Sequence, residues 1–128
     1  DTNRENPYIP YNHIFNSIVY TGTHDNNTTR GWYKDSDREV KEHLNKFTGR
    51  EVTAENVHEV LGRMALQSVA VVAILPLQDV LGLGKEAIMN TPGSTKGNWT
   101  WRITSEEIPQ NRTKELCEQN ELFGRIPN

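Results

Sequence analysis

The chain has 128 residues, of which 34% are hydrophobic and 24% are charged, and its 14 Lys and Arg against 17 Asp and Glu give a net charge of −3. This acidic balance lacks the basic surface of nucleic-acid-binding domains, so we expect no nucleic-acid partner. The longest apolar run, residues 69–77, holds nine residues including a proline. A bilayer span needs about 20, so we expect no membrane partner.

Two further features bear on the compartment and the extent of the chain. The single cysteine, Cys117, excludes an internal disulfide, and we therefore expect a reducing, cytoplasmic compartment. The chain begins with Asp1 rather than Met and has no signal-like N-terminus. We interpret it as a piece of a longer chain or as a processed product.

The first half of the chain predicts one strand, a polar loop and two helices. A β-branched and aromatic run predicts a strand over residues 17–21, followed by a turn-rich polar loop over residues 22–31. Ser36 and Glu39 have the spacing of a capping box, which predicts the start of an amphipathic helix that ends near Gly49. Thr53 is the predicted cap of the second helix.

The second half predicts a strand, a short helix and a final helix. Residues 69–77 are apolar at consecutive positions, which predicts a strand buried on both faces. A short helix follows this strand. Trp99 and Trp101 would lie on one side of an extended segment, and we favour a packing role for both. The last helix is predicted over residues 110–122, with Cys117 as a small buried residue on it.

This order of elements predicts an α/β fold in which a parallel sheet is joined by crossover helices. Two parallel strands cannot bury themselves, so the chain is an incomplete layer, as about one quarter of a (β/α)8 barrel would be. Residues 1–128 are therefore expected to form one segment rather than a complete domain. Chemistry in such barrels lies in the loops after the carboxyl ends of the strands, here residues 22–31 and 78–97.

The loop after the first strand holds the strongest candidate site. His24 and Asp25 stand among several Thr and Asn residues. A carboxylate can accept two sugar hydroxyls and an imidazole can donate to a third, so the group suits a polyhydroxylated ligand. The sequence pattern leaves open the alternative that Asp25 caps a turn and His24 is an ordinary polar residue. The other three His residues are scattered, so we expect no metal and no cofactor.

The loop after the second strand offers two more polar candidates. Asp79 either caps the short turn that follows it or is functional, and we favour the structural role. Asn90 precedes Thr-Pro-Gly, where a loop can turn toward a ligand.

Three segments of the chain form long, specific motifs: VYTGTHDNNTTRGW at 19–32, ILPLQDVLGLG at 74–84, and MNTPG with NWTWR within 89–102. In this order they resemble the amylomaltase or disproportionating-enzyme family of 4-α-glucanotransferases, glycoside hydrolase family 77 of the α-amylase superfamily. The resemblance runs from about Asn6 to Arg102 and more loosely to the end. It implies a (β/α)8 TIM barrel, of which this chain would be the C-terminal part, about strands seven and eight with their helices.

The resemblance also implies an activity. Family members transfer an α-1,4-glucan segment to the 4-OH of an acceptor, with retention, by a double displacement that uses three acids. Asp25 matches the third acid, an Asp that holds the 2- and 3-hydroxyls of the reacting sugar and stabilises the transition state. His24 matches its sugar-binding neighbour, and Asn90 matches a residue near the substrate cleft.

The nucleophile and the acid/base have no match here. The resemblance therefore implies two kinds of partner: α-1,4-glucan and maltooligosaccharide substrates, and the missing N-terminal part of the same barrel. The isolated chain is expected to be inactive. Three residues depart from the family's usual pattern: Asn27 stands for Asp, Ile88 for Arg and Tyr11 for His. These departures put substrate affinity in doubt more than the chemistry.

Two other functions stay open. The chain could be a non-catalytic maltooligosaccharide-binding fragment that uses aromatic platforms, namely Trp32, Tyr33, Trp99 and Trp101. It could also be an assembly piece whose buried-type strand needs neighbours on both sides.

Overall fold

The structure is a computed structural model that describes residues 3–126. It contains two short strands, five α-helices and three 3₁₀ turns within that range. In chain order the strands and α-helices are β1 (Ile18–Tyr20), α1 (Thr29–Asp35), α2 (Arg38–Thr48), α3 (Val57–Gln67), β2 (Val72–Ile74), α4 (Leu77–Val80) and α5 (Gln110–Leu122). The 3₁₀ turns cover Pro10–Asn12, Lys85–Ala87 and Ser105–Glu107. None of the helices in residues 3–126 is long and apolar enough to cross a bilayer.

The two strands pair in parallel, with Ile18 opposite Val72 and Tyr20 opposite Ile74. Helices α1, α2 and α3 form the crossover between them, which confirms the predicted α/β class and the parallel pairing. Both strands are shorter than predicted. Within the described chain, each strand pairs with one neighbour only, namely the other strand. Three residues in each strand pair in this two-stranded sheet, and they lie near the middle of the predicted strands.

One face of this sheet is open. Ile18, Tyr20, Val72 and Ile74 point to the same side and are 58%, 50%, 41% and 51% exposed. The prediction that the second strand is buried on both faces is therefore wrong for this chain, because no element of residues 3–126 covers that side. The opposite face is partly covered, since α3 packs against β2.

The core lies between helices rather than under the sheet. Tyr33, Val52, Val57 and Val60 form it, and Val57 is fully buried. The Tyr33 hydroxyl donates a 2.5 Å hydrogen bond to the Val52 carbonyl, which fixes the segment before α3 against α1.

Two predicted helix caps are wrong. Asp37, not Ser36, caps α2, and its side chain accepts a hydrogen bond from the Val40 amide. Ser36 instead follows the end of α1, a helix that begins at Thr29 within the loop predicted over residues 22–31; the Ser36 hydroxyl donates to the Trp32 carbonyl. Helix α3 follows Asn56, so the predicted Thr53 cap belongs to the preceding turn. The predicted end of α2 at Gly49 is confirmed, with φ of 67°.

The last helix has the predicted bounds, but Cys117 on it is exposed, so its predicted burial is wrong. The partly buried residues of α5 recur at helical spacing, and residue 117 lies off that face; they are Arg112, Glu115, Leu116, Gln119 and Asn120. Beyond α5, Arg125 donates to the carbonyls of Leu66, Ser68 and Ala70 and thereby ties the chain end to the end of α3.

Candidate functional site

The carboxyl ends of both strands open on one cavity. Its volume is about 460 Å³, and it is bordered by Tyr20 and Ile74 at the strand ends, by His24 and Met89 from the loops that follow, and by Gln78 of α4. This is the end of a parallel sheet at which loops from successive strands meet. We call residues 22–28, between β1 and α1, the first loop, and residues 88–102 the second loop.

The structure brings the three predicted site residues together. Asn90 Nδ2 donates to Asp25 Oδ1 at 2.6 Å, although the two residues are 65 positions apart. His24 Nε2 lies 3.2 Å from the same oxygen. The Asn90 amide also donates to the His24 carbonyl at 3.0 Å, so backbone and side chains both join the two loops.

Asp25 remains open to a ligand. Its side chain is 48% exposed and that of His24 is 55% exposed. Among residues 3–126, Asp25 Oδ2 accepts no hydrogen bond. The protein thus bonds one carboxylate oxygen and leaves the other open, so the exposed carboxylate can accept hydroxyls of a polyol.

Residues other than Asp25 stabilise the conformation of the first loop. Asn26 Oδ1 accepts from both the amide and the hydroxyl of Thr23, at 2.8 and 2.9 Å. Thr28 caps α1 by accepting from the Gly31 amide at 3.1 Å. The Asp25 carboxylate accepts no backbone amide in the described chain, so the alternative that it caps a turn is not supported.

Asp79 is buried and accepts a hydrogen bond at each carboxylate oxygen. It is 4% exposed. Its Oδ2 accepts from the Thr21 hydroxyl at 2.5 Å, and its Oδ1 accepts from the Thr29 amide at 2.8 Å. The favoured structural role is confirmed, although Asp79 joins the two ends of the first loop rather than capping its own turn.

The two tryptophans of the second loop do not share a face. Trp99 lies beside His24, with ring centroids 5.1 Å apart. Trp101 lines a separate cavity with Leu81 and Pro109. The expected alternation fails because the chain turns at Trp99, where φ is 62° rather than extended. Proximity to His24 could not be predicted from the local pattern, which favoured packing.

The departures from the family pattern lie in two places. Asn27 and Ile88 border the cavity at the strand ends. Asn27 Nδ2 donates to Asp35 Oδ2 at 3.2 Å, a contact that an Asp at position 27 would replace with two facing carboxylates. Tyr11 lies elsewhere and packs its ring against Phe47, with centroids 6.4 Å apart.

Within residues 3–126, no group of three or more His, Cys, Asp or Glu residues is arranged to hold a metal ion. Asp25 and His24 form the titratable part of the site, and Asn90 is neutral.

Comparison with known proteins places these motifs in a family. A family model for 4-alpha-glucanotransferase, glycoside hydrolase family 77, matches residues 1–108. The chain belongs to this family. It is 42% identical over 126 residues to a 4-alpha-glucanotransferase from Synechocystis, covering 98% of this chain and 25% of that protein. It is also 42% identical over 125 residues to the chloroplastic/amyloplastic 4-alpha-glucanotransferase of Solanum tuberosum; the match covers 95% of this chain and 22% of that protein.

A solved amylomaltase structure is also similar to this chain. The amylomaltase from Streptococcus agalactiae in complex with acarbose superposes with a TM-score of 0.88 at 31% identity, covering 97% of this chain and 25% of that one. The chain thus spans about a quarter of the length of the relatives it matches. A plastid relative exists, so the expected cytoplasmic location stays a prediction.

Proposed function

We propose that this chain is the C-terminal part of a 4-α-glucanotransferase barrel, about strands seven and eight, and that it carries the acid that stabilises the transition state. The observation that carries the proposal is the Asp25 carboxylate, which accepts from Asn90 and lies beside His24 at the carboxyl ends of two parallel strands. Relatives named 4-alpha-glucanotransferase align with nearly the whole chain, and this similarity supports the proposal.

The proposed reaction is the retaining transfer of an α-1,4-glucan segment. A nucleophilic carboxylate attacks the anomeric carbon while an acid protonates the leaving oxygen; the acceptor 4-OH then displaces the enzyme carboxylate and gives its proton to the same acid/base residue, now acting as base. The rest of the barrel supplies both groups. Asp25 accepts hydrogen bonds from the 2- and 3-hydroxyls of the reacting sugar. These bonds strengthen as positive charge develops on the ring, so they favour the transition state over the ground state.

The remainder of the barrel would also cover the open sheet face. In a closed (β/α)8 barrel, inward side chains from neighbouring strands fill the interior in layers. Ile18, Tyr20, Val72 and Ile74 are half exposed and apolar, as inward residues lacking their neighbours would be. Residues 1–128 are therefore one segment of a catalytic domain. The proposed partners are that missing segment, α-1,4-glucan and maltooligosaccharides, and the proposed location is the cytoplasm.

The test is disproportionation of maltotriose by the full-length protein and by its Asp25→Asn variant. Asn keeps the shape and the contact with Asn90 but loses the charge, so we expect kcat to fall by about 1,000-fold or more without loss of folding. Glu118→Gln, on the exposed side of α5, is the matched control and should leave kcat unchanged. A near-normal kcat for Asp25→Asn would exclude Asp25 from catalysis.

The isolated chain gives a second test. We expect it to form no product from maltotriose, because the nucleophile and the acid/base are absent. Glucose and longer maltooligosaccharides from the isolated chain would contradict the proposal. Saturable maltooligosaccharide binding by an isolated, monomeric and cooperatively folded chain would favour the non-catalytic binding fragment instead.

A further inference from the structure

Trp99 has an unusual backbone conformation. It is the one non-glycine residue of the described chain with a positive φ, at 62°. This left-handed region costs free energy for any residue with a Cβ atom and is rare for a bulky side chain. A glycine would occupy it without that cost.

The surrounding loop holds Trp99 in this conformation. Its amide donates to the Met89 carbonyl at 2.6 Å, and its carbonyl accepts from Arg102 at 2.9 Å. Just before it, Asn98 accepts from the Thr91 amide at 2.9 Å and braces the turn. The strain is therefore imposed by a network of hydrogen bonds, which is the pattern found where a side chain must be aimed at a ligand.

The indole ring gains little burial from this arrangement. Trp99 is 51% exposed, so the strain is not offset by packing of the ring in a core. The ring lies 5.1 Å from the His24 imidazole, centroid to centroid, at a tilt of 38°. His24 in turn contacts Asp25 at 3.2 Å. An exposed aromatic surface thus adjoins the residues proposed to hold the reacting sugar.

We infer that Trp99 is a sugar-binding platform, on which the apolar C–H face of one glucosyl unit stacks next to the unit held by Asp25. This inference rests on the proposed function and adds a specificity-determining residue to it. Aromatic rings bury a large apolar area without competing for hydroxyls, so a platform suits a chain of glucose units. The strained loop fixes the ring before substrate arrives, which reduces the ordering that binding requires.

The experiment compares Trp99→Gly, Trp99→Leu and Trp99→Phe in the full-length protein, with maltotriose as substrate. Loss of one stacked ring should raise KM about five- to tenfold in the Gly and Leu variants, with kcat within about twofold. The Phe variant keeps a ring and should stay within about threefold of the wild-type KM. The Gly variant relieves the backbone strain, so its thermal midpoint should equal or exceed that of the wild type.

A merely structural role gives the opposite result. In that case Trp99→Gly lowers the thermal midpoint and leaves KM unchanged, which overturns the inference. Trp99→Leu tests the ring separately, because it keeps the strained backbone position. Trp101→Gly is the matched control; Trp101 lines a separate cavity, so its loss should lower stability and leave KM unchanged. An equal rise in KM for Trp101→Gly would also overturn the inference. A wild-type protein without activity on maltotriose would refute the proposed function, whereas an active wild type with a normal KM for Trp99→Gly refutes only the platform.

Discussion

The Asp79 carboxylate joins the two ends of the loop that carries Asp25, and its removal tests how that loop is held in place. One oxygen accepts from Thr21 at the end of β1, and the other accepts from the amide of Thr29 at the start of α1. Asp79→Ala removes both acceptors from a site that is 4% exposed, so water replaces them poorly.

The size of the effect follows from these contacts. The Thr29 amide becomes a buried donor without a partner, because Thr29 is itself only 3% exposed. Together with the lost charge-assisted bond to Thr21, this should destabilise the loop by about 3 kcal/mol. Asp79→Asn should cost about 1 kcal/mol or less, because the amide oxygen can still accept from Thr29 and the Thr21 hydroxyl can turn to accept from the amide nitrogen.

Hydrogen exchange of the backbone amides in the full-length protein measures this opening directly. For Asp79→Ala, exchange of the Thr29 amide should accelerate by about 100-fold, and Asp79→Asn should change it by less than about tenfold. Glu118→Ala, at an exposed position of α5, is the control and should leave that rate unchanged. Equal rates in Asp79→Ala and the wild type would refute the conclusion that Asp79 anchors the first loop.

Two further predictions concern stability. Tyr33→Phe removes the hydroxyl that donates to the buried Val52 carbonyl. The free energy of unfolding, measured by urea titration, should fall by about 1–2 kcal/mol. An unchanged value would show that the carbonyl finds another donor. Burial lowers the pKa of His58 below its ordinary value of 6.5, so the unfolded chain binds the proton more tightly than the folded one. The resulting stability is present above pH 6.5 and is lost as the pH falls below it. His58→Gln should flatten this loss, and an identical pH profile in both proteins would contradict it.

The parts of the fold that the sequence predicted share one property: they depend on local pattern. The apolar runs, the crossover order and the bounds of α5 follow from periodicity and turn residues alone. The contact between Asp25 and Asn90 could also be anticipated from sequence, because loops after adjacent parallel strands reach the same end of a sheet.

The parts that were missed depend on distant contacts. Helix α1 begins in a polar stretch that predicts a loop, yet Asp79 accepts from its first amide across 50 positions of sequence. The neighbouring residues Ser36 and Asp37 are both good caps, and the choice between them depends on where α1 ends. The φ of Trp99 is likewise set by partners at Met89 and Arg102, which no local propensity encodes.

The two aspartates of the site region show why burial and partners, rather than residue type, assign function here. Each follows a strand, and each had a structural and a functional interpretation from sequence. Asp79 is 4% exposed and both of its oxygens accept from protein donors, so a sugar has little access to it. The Asp25 side chain is 48% exposed; Asn90 donates to its Oδ1, His24 lies near the same oxygen, and its Oδ2 accepts no hydrogen bond within the described chain. A carboxylate oxygen can accept more than one hydrogen bond, so what separates the two residues is whether a sugar can reach the carboxylate. Asp79 therefore anchors the loop, and Asp25 is the carboxylate of this pair that can act on substrate.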